Sequence, residues 1–262
     1  MNNESADYMH IEETMPQICA SDDDTVAAET IEFYRQAIHT AKQSEVQFLI
    51  GGAYAFRCYT GIVRNTKDLD FFIRNTDLDR FLQQFLANGF LVEIAEPQWL
   101  AKARKGDLFV DVIYGSMSEV TKVDDRWFER SNRRTILGHV VDICPVEEMI
   151  WSKAFVLERD RFDGADISHL LLKCSDEIDW DYLIERFGPN WQMLLMHLVL
   201  FRFVYPSKIS LVPDRVIRTL MDRFASESAL NHDSGLCRGT LVAPSQYRID
   251  VQQWGFKDAR FE

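Results

Sequence analysis

The chain has 262 residues, of which 47% are apolar, and its formal net charge is −12. That length allows one or two domains with a sizeable core. The apolar fraction is ordinary for a globular protein, and no apolar run approaches the length of a membrane span. The acidic balance argues against a broad DNA-binding face, whereas an RNA or tRNA end reached through a local basic patch remains open.

The N-terminal segment holds much of the negative charge. Residues 1–30 carry eight acidic side chains and neither lysine nor arginine. A segment with so much like charge and so few apolar side chains does not bury enough surface to order itself. We therefore predict an acidic, mobile tail over residues 1–24, followed by an amphipathic helix from Thr25 to about Lys42.

The number and spacing of the cysteines indicate the redox state of the cellular compartment in which the protein folds. They are odd in number and scattered, and no pair has zinc-finger spacing. The basic-then-apolar pattern of a secretion signal is not evident either. We therefore expect reduced thiols in a cytoplasmic protein. The cysteines are Cys19, Cys58, Cys144, Cys174 and Cys237.

The chain is organised around a strand–turn–helix–strand stretch in its first half. An apolar run over 46–50 predicts a buried strand that enters a tight turn at Gly51-Gly52. A short helix is predicted over 53–59 and a second strand over 68–73. A glycine pair at the start of a helix lets the backbone approach a ligand closely, and it directs free N–H groups at an anion.

Asp68 and Asp70 lie two residues apart in the second strand, so both side chains project from the same face. Two adjacent carboxylates repel each other, an arrangement that becomes favourable when a divalent cation lies between them. A phosphate chain on the Gly51-Gly52 turn, bridged to these carboxylates by Mg²⁺ or Mn²⁺, would form a nucleotide-transfer site. Taken singly, such a glycine pair is more often a plain turn, and such an acidic pair a solvated strand end.

A third acidic residue lies inside another predicted strand, over 108–113. Asp111 has a valine on either side, and a carboxylate in an apolar strand is costly unless something pairs with it. Neighbouring strands lie about 4.8 Å apart, so Asp111 could complete a three-carboxylate cluster with Asp68 and Asp70. The alternatives are a strand-end acid or a salt bridge to an arginine. Asp107, at the start of the strand, is the less favoured substitute.

The other predicted elements alternate before the chain becomes helical. They are a helix over 76–89, a strand over 90–95, an irregular stretch over 97–105, a hairpin over 133–144 and a helix over 145–161. Beyond residue 178 the predicted segments are helices, separated by glycine and proline.

The glycine pair, followed by Arg64-x-Thr66-x-Asp68-x-Asp70, resembles the signature of the nucleotidyltransferase superfamily. Fifteen residues, 53–67, separate the glycine pair from Asp68. This spacing is most similar to the AbiEii/AbiGii-type toxin branch and its uncharacterised relatives. The resemblance implies a small mixed sheet with helices, two Mg²⁺ ions and a third carboxylate on a neighbouring strand.

The second half of the chain is also similar to that branch, with a lysine- and arginine-bearing helix followed by Asp-x-x-Asp-aliphatic. The match places Lys153 near the triphosphate, where it would neutralise charge. Asp163 and Asp166 match the trailing acids, one of which would support catalysis or fix the helix junction. The lysine-to-aspartate segment is more compact than the toxin pattern, and no clear second basic motif lies between the strands.

The predicted fold class is α/β plus α, with a small mixed-sheet, nucleotidyltransferase-like domain over 25–144 and a helical C-terminal domain over 145–262. The predicted reaction moves a nucleoside monophosphate from an NTP to a hydroxyl acceptor and releases pyrophosphate. Asp68, Asp70 and Asp111 would bind the metal, and Asp111 could accept the acceptor's proton. The nucleotide-binding candidates are Gly51, Gly52, Arg64, Thr66 and Lys153.

Three alternatives concern the acceptor of this reaction and the biological role of the chain. The acceptor could be a small molecule such as an antibiotic, an RNA or tRNA end, or a protein. The chain could be a toxin with an antitoxin partner. From a different functional class, the same fold could be a non-catalytic module that binds a nucleotide or a partner in its cleft.

Overall fold

The computed structural model describes residues 27–64, 66, 68–227 and 235–261. The predicted acidic tail, and the predicted start of the first helix at Thr25, therefore lie outside the described residues. The helices are α1 Ala28–Gln43, α2 Gly52–Thr60, α3 Leu78–Ala87, α4 Asp125–Glu129, α5 Val146–Lys153, α6 Gly164–Cys174, α7 Trp180–Phe187, α8 Trp191–Val204, α9 Asp214–Glu227 and α10 Arg248–Gln252. The strands are β1 Leu49–Ile50, β2 Asp70–Phe72, β3 Leu91–Glu96, β4 Leu100–Lys105, β5 Leu108–Ile113, β6 Asn132–Ile136, β7 His139–Ile143, β8 Leu236–Cys237 and β9 Lys257–Asp258.

The first seven strands form one mixed sheet in the order β3-β4-β5-β2-β1-β7-β6, and β8 pairs with β9 separately. Within the large sheet, β2–β5 and β1–β7 are parallel pairs and the other neighbours are antiparallel. The hairpin predicted over 133–144 is confirmed as β6–β7. Because β2 is the central strand, a side chain that it directs away from the core is flanked by strands on both sides.

Helices α1 and α3 pack against each other and cover one face of the sheet. The side chains of Leu69, Phe71 and Ile73 are fully buried, and the Phe71 ring centroid lies 5.7 Å from that of Phe81 and 6.0 Å from that of Phe85 in α3. Alternate residues of a strand point to opposite faces. The intervening acidic residue of β2 is therefore directed to the face that α1 and α3 leave open.

The helices that follow β7 pack on one another and on the sheet region. Helix α6 contacts α2, α5 and α8, and α8 contacts α9. Buried apolar side chains from both regions belong to one continuous cluster. The predicted class, a mixed-sheet α/β region followed by a helical region, is confirmed. The division into two domains after residue 144 stays a prediction.

Two predicted elements differ from the structure. The stretch that contains Lys102, predicted to be irregular, is strand β4, because its backbone pairs with both β3 and β5. Helix α5 was predicted to continue to residue 161 but ends at Lys153. Beyond it the chain folds back on itself through a backbone bridge between Leu157 and Phe162.

Two features bear on the predicted cytoplasmic location. Cys58 is disulfide-bonded, so the expectation of a reduced thiol is wrong for this residue. Cys144, Cys174 and Cys237 are buried free thiols, and Cys19 lies outside the described residues. None of the helices in the described ranges combines the length and apolar character that a bilayer span requires. The location itself stays a prediction.

Candidate active site

Three carboxylates meet at the centre of the sheet, on the face opposite α1 and α3. Asp70 in β2 is directly opposite Asp111 in β5, and the Asp111 N–H donates to the Leu69 carbonyl at 3.0 Å. Asp68 lies just before β2. One oxygen from each of the three carboxylates lies within 4.8 Å of the other two. The structure thus brings together Asp68, Asp70 and Asp111, and their roles as ligands and catalytic residues stay predictions.

Asp68 is held in place by Thr66, the residue two positions before it. The Thr66 hydroxyl lies 2.8 Å from Asp68 Oδ1 and 3.0 Å from the Asp68 carbonyl oxygen. A hydroxyl has one proton to donate, so it serves one of these acceptors at a time. These contacts hold Asp68, and a contact of Thr66 with a nucleotide stays a prediction.

The glycine turn lies directly against the carboxylate cluster. The Gly51 N–H donates to the Asp70 carbonyl at 3.0 Å, and α2 begins at Gly52 with a φ of +52°. A Cβ on Gly52 would lie 1.6 Å from Asp70 Oδ2, and one on Gly51 would lie 2.2 Å from Phe72 Cε2. The absence of a side chain at Gly52 therefore makes room for the Asp70 carboxylate, and its absence at Gly51 makes room for the Phe72 ring.

Asp70 is the poorly compensated member of the cluster electrostatically. Burial raises the pKa of Asp70 to about 7, repulsion from Asp68 and Asp111 adds to the rise, and Lys153 and Arg161 oppose it. Desolvation and neighbouring like charge both disfavour an ionised carboxylate. A cation in direct contact with the cluster would remove this penalty, so the electrostatics favour one there.

The donor set suits a hard divalent cation. Mg²⁺ and Mn²⁺ prefer carboxylate oxygens and leave other coordination positions to water and phosphate. Within the described part of the chain, Asp68, Asp70 and Asp111 are the one group of three acidic, histidine or cysteine side chains close enough to share an ion. Gly52 has no side chain that would displace the Asp70 carboxylate from the cluster. These residues therefore fit Mg²⁺ or Mn²⁺.

Lys102 is a member of the site that sequence reasoning missed. It lies in β4 directly opposite Asp111, with its Nζ 2.5 Å from Asp111 Oδ1. Burial raises the pKa of Asp111, and the hydrogen bond from Lys102 opposes that rise. Asp111 therefore does form a salt bridge, but its partner is a lysine and not the arginine of the alternative prediction. Asp111 is also part of the carboxylate cluster. The available signal was the alternation of Lys102 with Ala101 and Ala103, which are both fully buried.

A network of ion pairs forms the wall opposite the sheet. Lys153 Nζ lies 2.8 Å from both Asp163 Oδ2 and Asp166 Oδ2. Arg64 donates to Asp166 at 2.8 and 2.5 Å and stacks 4.3 Å from the centroid of the Phe56 ring. Burial would raise the pKa of Asp166, but hydrogen bonds from Arg64 and Lys153 outweigh it and lower that pKa. Asp166 thus orients both cations and Asp163 orients Lys153, and a contact of either cation with phosphate stays a prediction.

Two joined cavities open beside the cluster. The polar lobe has a volume of about 240 Å³ and contains the three carboxylates together with Arg64 and Thr66. The apolar lobe has a volume of about 250 Å³, and its wall includes Phe72 and Trp127, whose stacked rings have centroids 5.3 Å apart. Both lobes are lined by Gly52, Asp70, Trp99, Ile113, Lys153 and Arg161.

No protein-family model matches the chain, and neither does any curated protein. Among solved structures, it is similar to the antibiotic-resistance factor ANT(2'')-Ia, at 16% identity and a TM-score of 0.47, over 66% of this chain and 98% of that one. It is also similar to an antigenic nucleotidyltransferase-like protein from Paracoccidioides brasiliensis, at 15% identity and a TM-score of 0.45, over 71% and 93%.

A third similar structure is the lincosamide antibiotic adenylyltransferase LnuA, at 14% identity and a TM-score of 0.38, over 55% of this chain and 96% of that one. These identities and TM-scores are too low to assign the chain to a family or to transfer an activity. The resemblance of the sequence to the AbiEii/AbiGii-type branch stays a prediction.

Proposed function

We propose that the chain transfers a nucleoside monophosphate from an NTP to a hydroxyl acceptor and releases pyrophosphate. The observation that carries this proposal is the direct contact between the glycine turn and the carboxylate cluster, at Gly52 and Asp70. A backbone turn at the start of a helix binds phosphate, and a group of acidic side chains binds Mg²⁺. Transfer of a phosphoryl group requires both, side by side.

The phosphate-binding half of the site consists of backbone and cations. N–H groups of Gly52 and the first turn of α2 would bind phosphate oxygens, because the first N–H groups of a helix have no partner within it. The Gly51 N–H already donates to the Asp70 carbonyl, so Gly51 would contribute by letting the backbone turn closely rather than by donating. Lys153 would neutralise charge on the triphosphate, held in position by its two acidic partners. Arg64 lines the same polar lobe and would contribute a second positive charge.

The metal-binding half consists of Asp68, Asp70 and Asp111. A divalent cation bound there would neutralise phosphate charge and polarise the phosphorus centre that is attacked. Thr66 keeps Asp68 in position through the hydroxyl contact to its carboxylate. The apolar lobe would take the uncharged organic part of the nucleotide or of the acceptor.

In the transfer, the acceptor hydroxyl oxygen forms a bond to the α-phosphorus. The bond from that phosphorus to the bridging oxygen of pyrophosphate breaks, and pyrophosphate leaves with the electron pair. Asp111 would take the proton of the attacking hydroxyl and pass it to solvent. A toxin role, an antitoxin partner and an RNA-end acceptor remain predictions that rest on the sequence resemblance.

The test compares Asp70→Asn with Asp107→Asn. Both remove one negative charge, but Asp107 is exposed in the turn between β4 and β5, away from the cluster. With Mg²⁺, all four NTPs and a panel of hydroxyl acceptors, we expect Asp70→Asn to reduce pyrophosphate release about a hundredfold or more. Asp107→Asn should match the unmodified chain.

Two outcomes would overturn the proposal. Full transfer by Asp70→Asn would remove the carboxylate cluster from the chemistry. Metal-dependent NTP binding by the unmodified chain, without pyrophosphate release for any small-molecule, RNA or protein acceptor, would instead support the non-catalytic nucleotide-binding module.

A further inference from the structure

Lys102, Asp111 and Asp70 form a row across three neighbouring strands. Lys102 in β4 is directly opposite Asp111 in β5, and Asp111 is directly opposite Asp70 in β2. Residues directly opposite one another in adjacent strands project from the same face of a sheet. The row therefore places an ammonium group against Asp111, on the side away from Asp70.

Two contacts hold the Lys102 ammonium at this position. Its Nζ lies 2.5 Å from Asp111 Oδ1 and 4.2 Å from the centroid of the Phe109 ring, two residues earlier in β5. A cation that lies over an aromatic face and also donates to a carboxylate is stabilised by both groups. Lys102 therefore occupies one oxygen of a carboxylate that a bound metal ion would also use.

The charges of Lys102 and of the three carboxylates set how many cations the site attracts. The three carboxylates of the cluster carry −3 when ionised, and the Lys102 ammonium brings the total to −2. One divalent cation balances that charge. Further positive charge becomes favourable only when a ligand brings more negative charge, as the triphosphate of an NTP does.

We infer that Lys102 competes with a divalent cation for Asp111 until a triphosphate arrives. In the nucleotide-free protein the ammonium holds Asp111, and a metal ion is bound chiefly by Asp68 and Asp70. When the triphosphate adds its charge, Asp111 becomes available as a ligand. The inference rests on the cation site of the proposed function, and it assigns Lys102 as a positioning residue that keeps Asp111 from the metal ion, and so weakens metal binding, until a nucleotide is bound.

A purely structural salt bridge makes a different prediction. If Lys102 only stabilised the sheet, replacing it would lower the melting temperature and leave metal affinity unchanged. If it competes with the metal, replacing it raises metal affinity, because Asp111 loses a partner and the site becomes more negative by one charge. The two roles therefore predict different metal affinities, unchanged or raised, and this affinity can be measured without catalytic turnover.

The experiment measures Mn²⁺ binding to the full nucleotide-free chain by titration calorimetry. Breaking a charge-assisted hydrogen bond should be worth about a ten- to hundredfold gain in Mn²⁺ affinity for Lys102→Met. Lys102→Arg keeps the positive charge and should bind Mn²⁺ as the unmodified chain does. Lys105→Met is the matched control, since Lys105 is in the same strand but on the opposite face, over the Phe90 ring.

The same titration with a non-hydrolysable NTP analogue present should reduce the difference between Lys102→Met and the unmodified chain. Lys102→Gln replaces Lys102→Met if circular dichroism shows that the latter does not fold. Equal nucleotide-free Mn²⁺ affinities, or an equal gain for Lys105→Met, would overturn the inference. Failure of the transfer proposal would look different, because pyrophosphate release would be absent while the Mn²⁺ difference persisted.

Discussion

The absence of a side chain at Gly52 allows the glycine turn to lie directly against the carboxylate cluster. Gly52 has a φ of +52°, and an added Cβ would lie 1.6 Å from Asp70 Oδ2. Gly52→Ala therefore must move either the turn or the carboxylate. We expect the free energy of unfolding to fall by about 1–3 kcal/mol in a urea titration. We also expect metal-dependent NTP binding to fall at least about tenfold, since one phosphate contact is worth that much.

Gly61 provides the control for Gly52. It also has a positive φ, +74°, at the end of α2, but a Cβ there would meet no atom within 4 Å. Gly61→Ala should lower the free energy of unfolding by about 1 kcal/mol through backbone strain alone. NTP binding should be unchanged. Normal NTP affinity in Gly52→Ala would show that the turn is not where the phosphates bind.

The acidic residues of the site could be predicted from sequence, and its lysine could not. Asp111 interrupts a run of apolar residues, and Asp68 and Asp70 share one face of a predicted strand, so the cost of an uncompensated carboxylate marks them out locally. Lys102 alternates with Ala101 and Ala103, whose small side chains make the apolar signal around it weak. Its role comes from the pairing of β4 with β5, whose register sets it opposite Asp111. That register is known only once the strands are assembled.

At the scale of elements, the sequence predicts best where burial is strongly periodic. Strand β5 has the predicted bounds, and from Val110 to Ile113 its residues alternate between buried and half-buried. Strand β4 was missed because its core-facing residues include Ala101 and Ala103, whose small side chains give weak apolar periodicity. The end of α5 depends on a distant segment, since the Leu157 N–H donates to the Val242 carbonyl at 3.1 Å. No local pattern could reveal that partner.

A buried ion cluster joins three elements that lie apart in sequence. Arg186 in α7 donates to Glu148 in α5 at 2.9 Å, and to Asp124, next to α4, at 2.7 and 3.0 Å. Its guanidinium also lies 3.9 Å from the centroid of the Trp151 ring. Glu148 is fully buried and accepts a further hydrogen bond from the Tyr182 hydroxyl. Burial raises the pKa of Glu148, an effect that Arg186 opposes.

Replacing Arg186 should therefore be among the most destabilising changes in the helical region. Arg186→Met leaves Glu148 buried without its guanidinium partner, and breaking a buried pair from one side costs about 3–5 kcal/mol. The measurement is the free energy of unfolding from urea titration near neutral pH. A cost below about 1 kcal/mol would mean that Tyr182 or solvent compensates the carboxylate by itself.

Arg126→Met is the matched control for Arg186→Met. Arg126 in α4 pairs with Glu185 in α7 at 3.1 Å, so it joins two of the same elements, but both side chains are largely exposed. An exposed pair contributes about 0–1 kcal/mol, because water screens the charges and the side chains lose freedom. A similar cost for the two variants would contradict the assignment of burial as the source of the Arg186 effect.

At the scale of the molecule, the cleft beside the carboxylate cluster is built from both halves of the chain. The carboxylates come from the sheet, whereas Lys153 comes from the helical region, and Arg64 reaches from one half to Asp166 in the other. Helix α2, which carries the glycine turn at its start, packs against α6. The geometry of the turn therefore depends on helices encoded after residue 144.

This shared packing predicts cooperative unfolding of the described chain. Phe56 in α2 is almost fully buried, and the Tyr59 carbonyl accepts a hydrogen bond from the Cys174 thiol in α6 at 3.7 Å. Removing the helical region would expose this side of α2 and leave part of one continuous core uncovered. We expect a single calorimetric transition for the full chain, with a ratio of calorimetric to van't Hoff enthalpy of about 1.

The fragment over residues 25–144, the predicted N-terminal domain, provides the sharper form of this prediction. It should lack a cooperative melting transition by circular dichroism, because α2 and the turn at Gly52 lose the helix that packs against them. Two separate transitions in the full chain would contradict this result, as would a fragment that melts cooperatively and binds Mn²⁺. Either outcome would mean that the sheet region forms the turn and the carboxylate cluster alone. The helical region would then contribute Lys153 to the cleft without stabilising the glycine turn.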